Sequence, residues 1–164
     1  MRRPTSSEDR IGPYFEEMKA EYETGGKYSV YVIHLREDIK QEWNKRGSKS
    51  SFPREKFQNL EALGLVTHQG CVYVGYTGKD LETRFREHLE GINSQNKIVS
   101  RFGISTNYDE AMMEEEFLIA GIEDKETAMR LESWYGWALY KAGYMVWGPD
   151  LHREQNFLLN SPFW

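Results

Sequence analysis

The pattern of apolar and polar positions divides the chain into alternating strand-like and helix-like stretches. Tyr28-Ser29-Val30-Tyr31-Val32-Ile33-His34-Leu35 is rich in β-branched and aromatic residues and predicts a strand. Cys71-Val72-Tyr73-Val74-Gly75-Tyr76 predicts a second, entered after Gly70 and left at Gly78. Before the first, Tyr14, Phe15, Met18 and Tyr22 recur at helical spacing, so a helix is expected over 13–23, stopped by Gly25-Gly26. After the second, Asp80 is a natural N-cap for a helix over 81–91, with Leu81, Phe85, His88 and Leu89 on one face and Arg84 beside them. A third strand is expected over Glu116 to Ile122. Asp124 then caps a long helix over 125–142, closed by Gly143, and Tyr144-Met145-Val146-Trp147 reads as a short strand or edge.

Residues 36–70 break this rhythm. Glu37 to Lys45 suits a helical turn or two, 47–53 is loop, and Pro53 at a first helical position opens a helix through Leu60, Leu63 and Leu65. Residues 93–107 read as loop with one short element, and the last fifteen as irregular and aromatic-rich. The expected fold is therefore α/β (α+β): a small central, mostly antiparallel sheet of about three strands flanked by helices. The expected organisation is an N-terminal arm and helix over 1–27, a domain over 28–147 with an insertion at 36–70, and a C-terminal tail over 148–164 packed on that domain.

At 164 residues the chain has the size of one domain and can bury a core without disulfides. Its single cysteine, Cys71, excludes an intramolecular disulfide framework and a multi-cysteine zinc site, and reads as a small buried strand residue. His34, His68 and His152 show no metal-site spacing. No apolar run approaches the ~18 residues of a membrane span, and the polar start is not a secretory signal, so a cytoplasmic protein is expected, with no membrane partner. The net charge of −5 excludes a globally basic nucleic-acid binder, though not a local basic face. Such a cluster exists inside the insertion, where Lys45, Arg46, Lys49, Arg54 and Lys56 face a single acid, Glu55. By contrast 110–126 is acidic and is expected to face away from nucleic acid.

Tyr31 and Tyr73 sit centrally in the first two strands. Arg84 and His88 are four apart on one helix, and Glu132 falls at the edge of the apolar face of the long helix. Taken singly, each has a bland reading. Tyrosine is favoured in strands anyway, Arg84 and His88 suit a solvated helix face, and Glu132 suits an ion pair with Arg84, Lys125 or Arg130.

Taken in order, these residues resemble the GIY-YIG endonuclease family. Ser29-Val30-Tyr31-Val32-Ile33 is similar to the first half of its signature, and Tyr73-Val74-Gly75-Tyr76-Thr77 to the second. The segment from Leu81 to Leu89 is similar to the following helix, with its arginine and histidine four apart, and Leu131-Glu132 to the helix that carries the metal-binding glutamate. The chain departs from the family in three ways. Tyr31 and Tyr73 are 42 positions apart instead of flanking a short hairpin turn, Ser29 replaces the first glycine, and no asparagine follows the long helix closely, Asn156 and Asn160 coming too late.

The resemblance implies a divalent-metal-dependent endonuclease acting on DNA, with RNA left open. It implies Tyr31, Tyr73, Arg84, His88 and Glu132 as catalytic residues, with Glu132 holding Mg²⁺ (or Mn²⁺). It points to Tyr31 or Tyr73 as the water-activating group, Tyr31 first, with His88 orienting it or taking its proton. The residue types suit the chemistry: arginine clamps a phosphate with two parallel hydrogen bonds, and a carboxylate is a hard-oxygen ligand. Lys45, Arg46, Lys49, Arg54, Lys56, Thr77 and Arg86 are the expected nucleic-acid contacts. One active site cuts one strand at a time, so a double-strand cutter needs a homodimer or sequential nicks. Two other classes compete: a non-catalytic nucleic-acid-binding module on the same fold, and an unrelated α/β protein that binds a protein partner.

Overall fold

A computed structural model describes residues 7–42, 54–92 and 97–148. Helix α1 (Ser7–Tyr22) leads into strand β1 (Tyr28–Leu35), which is followed by a 3-10 turn at Glu37–Glu42. Helix α2 (Arg54–Ala62), strand β2 (Gly70–Thr77) and helix α3 (Leu81–Glu90) come next. Three short helices follow, α4 (Ile98–Phe102), α5 (Tyr108–Ala111) and α6 (Glu114–Phe117), then strand β3 (Ile119–Ile122), helix α7 (Lys125–Ala142) and strand β4 (Tyr144–Trp147).

The sheet has four strands in the order β3-β1-β2-β4, not about three. β1 pairs antiparallel with both β2 and β3, and β4 pairs parallel with β2. The short apolar stretch at 144–147 becomes a full sheet member because its four residues are all buried and α7 carries the chain back to the far edge of β2. A parallel neighbour requires such a crossover. β1 is buried along almost its whole length, which is why it reads as a continuous apolar run and not an alternating one.

Two expected boundaries move for local reasons. The strand expected from Glu116 begins only at Ile119, because Glu114, Glu115 and Glu116 form the first turn of a helix, where acidic residues are favoured, and that turn drops Phe117 into the core. The helix expected through Leu65 stops at Ala62. Gly64, at φ +72°, turns the chain back so that the Leu65 N–H donates to the Leu60 carbonyl at 2.9 Å, and Leu63 and Leu65 stay exposed. Helix α1 starts earlier than the periodicity implies and packs on β3 and α7, with Phe15 stacked on Tyr135 at 6.4 Å. Pro53 and 149–164, with His152, Asn156 and Asn160, lie outside the described residues. Among the described residues no helix is long and apolar enough to cross a membrane.

Candidate active site

The register of β1 on β2 builds the site. Tyr31 lies opposite Gly75 and Ile33 opposite Tyr73, so both tyrosines project from one face of the sheet as diagonal neighbours. Gly75 makes room for this. A Cβ there would stand 2.5 Å from the Tyr31 hydroxyl oxygen and 2.6 Å from its ring, closer than packed carbon and oxygen atoms can approach. The tyrosine ring therefore lies across the bare backbone of β2.

Helix α3 delivers the next two groups. Asp80 caps it, its carboxylate accepting from the Thr83 N–H at 3.2 Å, and Gly91 closes it in the left-handed region. Arg84 and His88 sit one turn apart on the face turned to the sheet, while Arg86, two residues along, is exposed and does not line the cleft. His88 is buried, its Nε2 2.7 Å from the Tyr31 hydroxyl. Its ring meets those of Tyr31 and Tyr73 edge-on, with centroids at 5.8 and 5.0 Å. Arg84 donates to the Tyr31 hydroxyl and lies 3.5 Å from a Glu87 oxygen.

The fifth group comes from α7. Strand β4 ends at Trp147, opposite Tyr73, so the edge of β2 beyond that point is not paired in the sheet. The Tyr76 N–H on that edge donates to the Glu132 carboxylate. Among the described residues no ion pair reaches Glu132; Arg130, one of its expected partners, pairs with Glu126 at 2.9 Å instead. A cleft of about 610 Å³ opens where β4 stops, lined by Tyr31, Tyr73, Arg84 and Glu132 together with Lys27, Lys79 and Lys125.

The titration properties follow from this burial. Tyr31 is pushed well above the ordinary tyrosine range by burial first and then by Tyr73, with Arg84 opposing. Tyr73 is pushed up to about 12 by burial and by Glu132, again against Arg84. Burial, then the Arg84 charge, pulls His88 down to about 4, with Glu87 opposing. Burial works against the Arg84 charge, but Tyr31, Tyr73 and Glu87 outweigh it and the guanidinium stays protonated. Burial drives Glu132 up to about 8 against the Tyr76 hydrogen bond. A half-buried, largely desolvated carboxyl in this state favours its neutral form until a cation arrives to hold the charge. Facing a polar cleft with one backbone donor, Glu132 fits a hard divalent ion as a single carboxylate ligand.

The sequence-predicted contacts divide. Thr77 lines the cleft but is buried, and its hydroxyl accepts the Lys79 N–H at 3.0 Å, so it shapes the turn after β2. Arg54 and Lys56 fall in α2, and Lys45, Arg46 and Lys49 lie outside the described residues. The acidic stretch is not wholly turned away, because Glu114 lines a smaller cleft together with Lys79. Sequence reasoning missed Lys27, Lys79 and Lys125. The start of an antiparallel strand lies at the same end as the finish of its partner, so a lysine just before β1 and another just after β2 were already a signal. It also gave His68 no metal-ligating neighbours, whereas the fold brings Glu37, His68 and Cys71 together.

The family model for the GIY-YIG catalytic domain matches residues 65–137. The match takes in Tyr73, Arg84, His88 and Glu132 and leaves Tyr31 outside it, on the far side of the insertion. No curated protein and no solved structure matches the chain.

Proposed function

We propose that this chain, which carries a GIY-YIG catalytic domain over residues 65–137, is a divalent-metal-dependent endonuclease that hydrolyses DNA phosphodiester bonds. GIY-YIG domains are nuclease domains that act on nucleic acid. The observation that carries the finer reading is the convergence of Tyr31, Tyr73, Arg84 and Glu132 on one cationic cleft, with His88 buried behind Tyr31, from four elements distant in sequence.

The residues divide the work. Arg84 offers a guanidinium fork to the non-bridging oxygens, where charge grows as water attacks phosphorus. His88 is neutral at physiological pH, and with its hydrogen on Nδ1 its Nε2 accepts from the Tyr31 hydroxyl. Burial keeps Tyr31 a phenol, so it acts as a relay. The attacking water gives its proton to the Tyr31 oxygen as the tyrosine passes its own to His88 Nε2. The new P–O bond forms as the bond to the leaving oxygen breaks. Mg²⁺ or Mn²⁺ held by Glu132 would supply positive charge against the phosphate and leaving oxygens. Lys27, Lys79 and Lys125 at the cleft mouth suit the flanking phosphates.

The test is cleavage of supercoiled plasmid with and without Mg²⁺, by the parent and by Glu132→Gln. We expect Mg²⁺-dependent nicking by the parent and a loss of at least ~10²-fold in the variant, with DNA binding retained. Binding without cleavage by the parent at any divalent ion would replace this reading with a non-catalytic nucleic-acid-binding module.

A further inference from the structure

At the end of β1 and β2 away from the cleft, three side chains of different ligand chemistry meet. Glu37 opens the 3-10 turn after β1, His68 precedes β2, and Cys71 is the second residue of β2. Their donor atoms all lie within 4.8 Å of one another. His68 Nε2 is 2.8 Å from Glu37 Oε2, and Cys71 Sγ is 3.9 Å from the same oxygen. A cation is already favoured here, since the Lys40 ammonium sits 2.7 Å from that oxygen. Lys40 is a flexible, partly exposed side chain and can swing away. The His68 ring is held edge-on to buried Phe57, with centroids at 6.2 Å. Gly70 keeps space open beside the cluster. A Cβ there would come within 4.0 Å of Glu37 Oε1.

We propose that Glu37, His68 and Cys71 form a structural transition-metal site for an ion of the Zn²⁺ class, with water as fourth donor. A thiolate, an imidazole and a carboxylate are the ligands such ions take, whereas Mg²⁺ avoids sulfur. The site is thus chemically distinct from the lone carboxylate ligand at Glu132. Glu37 stands at the start of the inserted segment and His68 and Cys71 at its end, so the ion ties both ends of residues 38–67 to the sheet. Sulfur binds such an ion as thiolate, so the metal would displace a proton from Cys71 as it binds.

Cobalt(II) titration of the full chain in the absence of Mg²⁺ tests this. Cys71 is the only cysteine, so a sulfur-to-cobalt charge-transfer band reports this site alone. We expect the band to saturate at one equivalent, to be bleached by Zn²⁺, and to vanish in Cys71→Ser. In Glu37→Gln and in His68→Gln we expect Co²⁺ affinity to fall at least ~10-fold, while Glu132→Gln leaves the band intact. Glu37→Gln and His68→Gln keep the test decisive if Cys71→Ser fails to fold. No thiolate band from folded parent protein, or a band indifferent to both Glu37→Gln and His68→Gln, overturns the proposal. Either result leaves the nuclease reading untouched, because neither reads cleavage.

Discussion

Glu132 and His88 are ionisable groups that the fold holds in their neutral forms, and they pull stability in opposite directions with pH. The unfolded chain protonates His88 below its ordinary 6.5, the folded protein only below about 4. Stability therefore falls as pH drops through that window, by roughly 3 kcal/mol. The unfolded chain ionises Glu132 above 4.5, the folded protein only above about 8, so stability is lost as pH rises between them. Without divalent ions, Glu132→Gln should be more stable than the parent near pH 7.5, by about 2–4 kcal/mol, and should lose that advantage toward pH 4.5. Mg²⁺ should narrow the gap by stabilising the parent. Urea unfolding at both pH values checks this, and equal stabilities throughout would show that Glu132 is not strained. Gly75 carries a second residue-scale prediction. In Gly75→Ala the new methyl collides with Tyr31, so the ring must leave its place beside His88. Cleavage should drop by ~10²-fold or more, with overpacking costing ~1–3 kcal/mol of stability. Single-turnover kinetics beside a melting curve separate the two effects, and an unimpaired rate would mean that Tyr31 is not the relay.

At the scale of elements, α3 matters most, because one ten-residue helix carries both Arg84 and His88. Its start depends on the Asp80 carboxylate, which takes the Thr83 N–H and also the Thr83 hydroxyl at 3.2 Å. Asp80→Ala should cost ~1 kcal/mol and loosen the first turn, where Arg84 lies. Cleavage should suffer more than stability does, and Asp80→Asn should recover most of it, since an asparagine caps as well. A variant with full rate and lowered stability would confine Asp80 to a structural role. The same helix shows what local sequence conveys. Its cap and nearly its full length were legible, because an N-cap is a short-range hydrogen-bonding rule, whereas Gly91, read as its last residue, closes it. The third strand was placed correctly but its start was set three residues early, because Glu116 and Phe117 fit the end of a helical turn as well as the start of a strand. Only packing of Phe117 into the core decides between them.

Over the whole molecule, a chain of net charge −5 must concentrate its cations if it is to approach DNA. Lys27, Lys79 and Lys125 come from a turn, a second turn and the start of α7, and they converge on the cleft. Replacing Lys27 and Lys125 with alanine should weaken binding about equally for unrelated duplex sequences. Each lost phosphate contact should flatten the slope of log affinity against log salt by ~0.9. Lys79 is the less clean choice, since it also pairs with Glu87 at 2.7 Å. An unchanged slope would turn attention to Lys45, Arg46 and Lys49 in the insertion. A shifted base preference would mean that the lysines read base edges.

By itself the sequence determined the two tyrosine strands, the capped helices that follow them and the order of the candidate catalytic residues. Each of these is written in short-range pattern: β-branched runs, an aspartate before a helix, a glycine after one. What it left undecided is everything that depends on contact across long separations. The four-stranded order, the placing of Tyr31 over Gly75 despite 42 intervening positions, and the meeting of Glu132 with the Tyr76 N–H all follow from sheet register and from where β4 stops. The gathering of Glu37, His68 and Cys71 is of the same kind. Pairing of β1 with β2 brings the two ends of the insertion side by side, and no spacing rule along the chain records that closure.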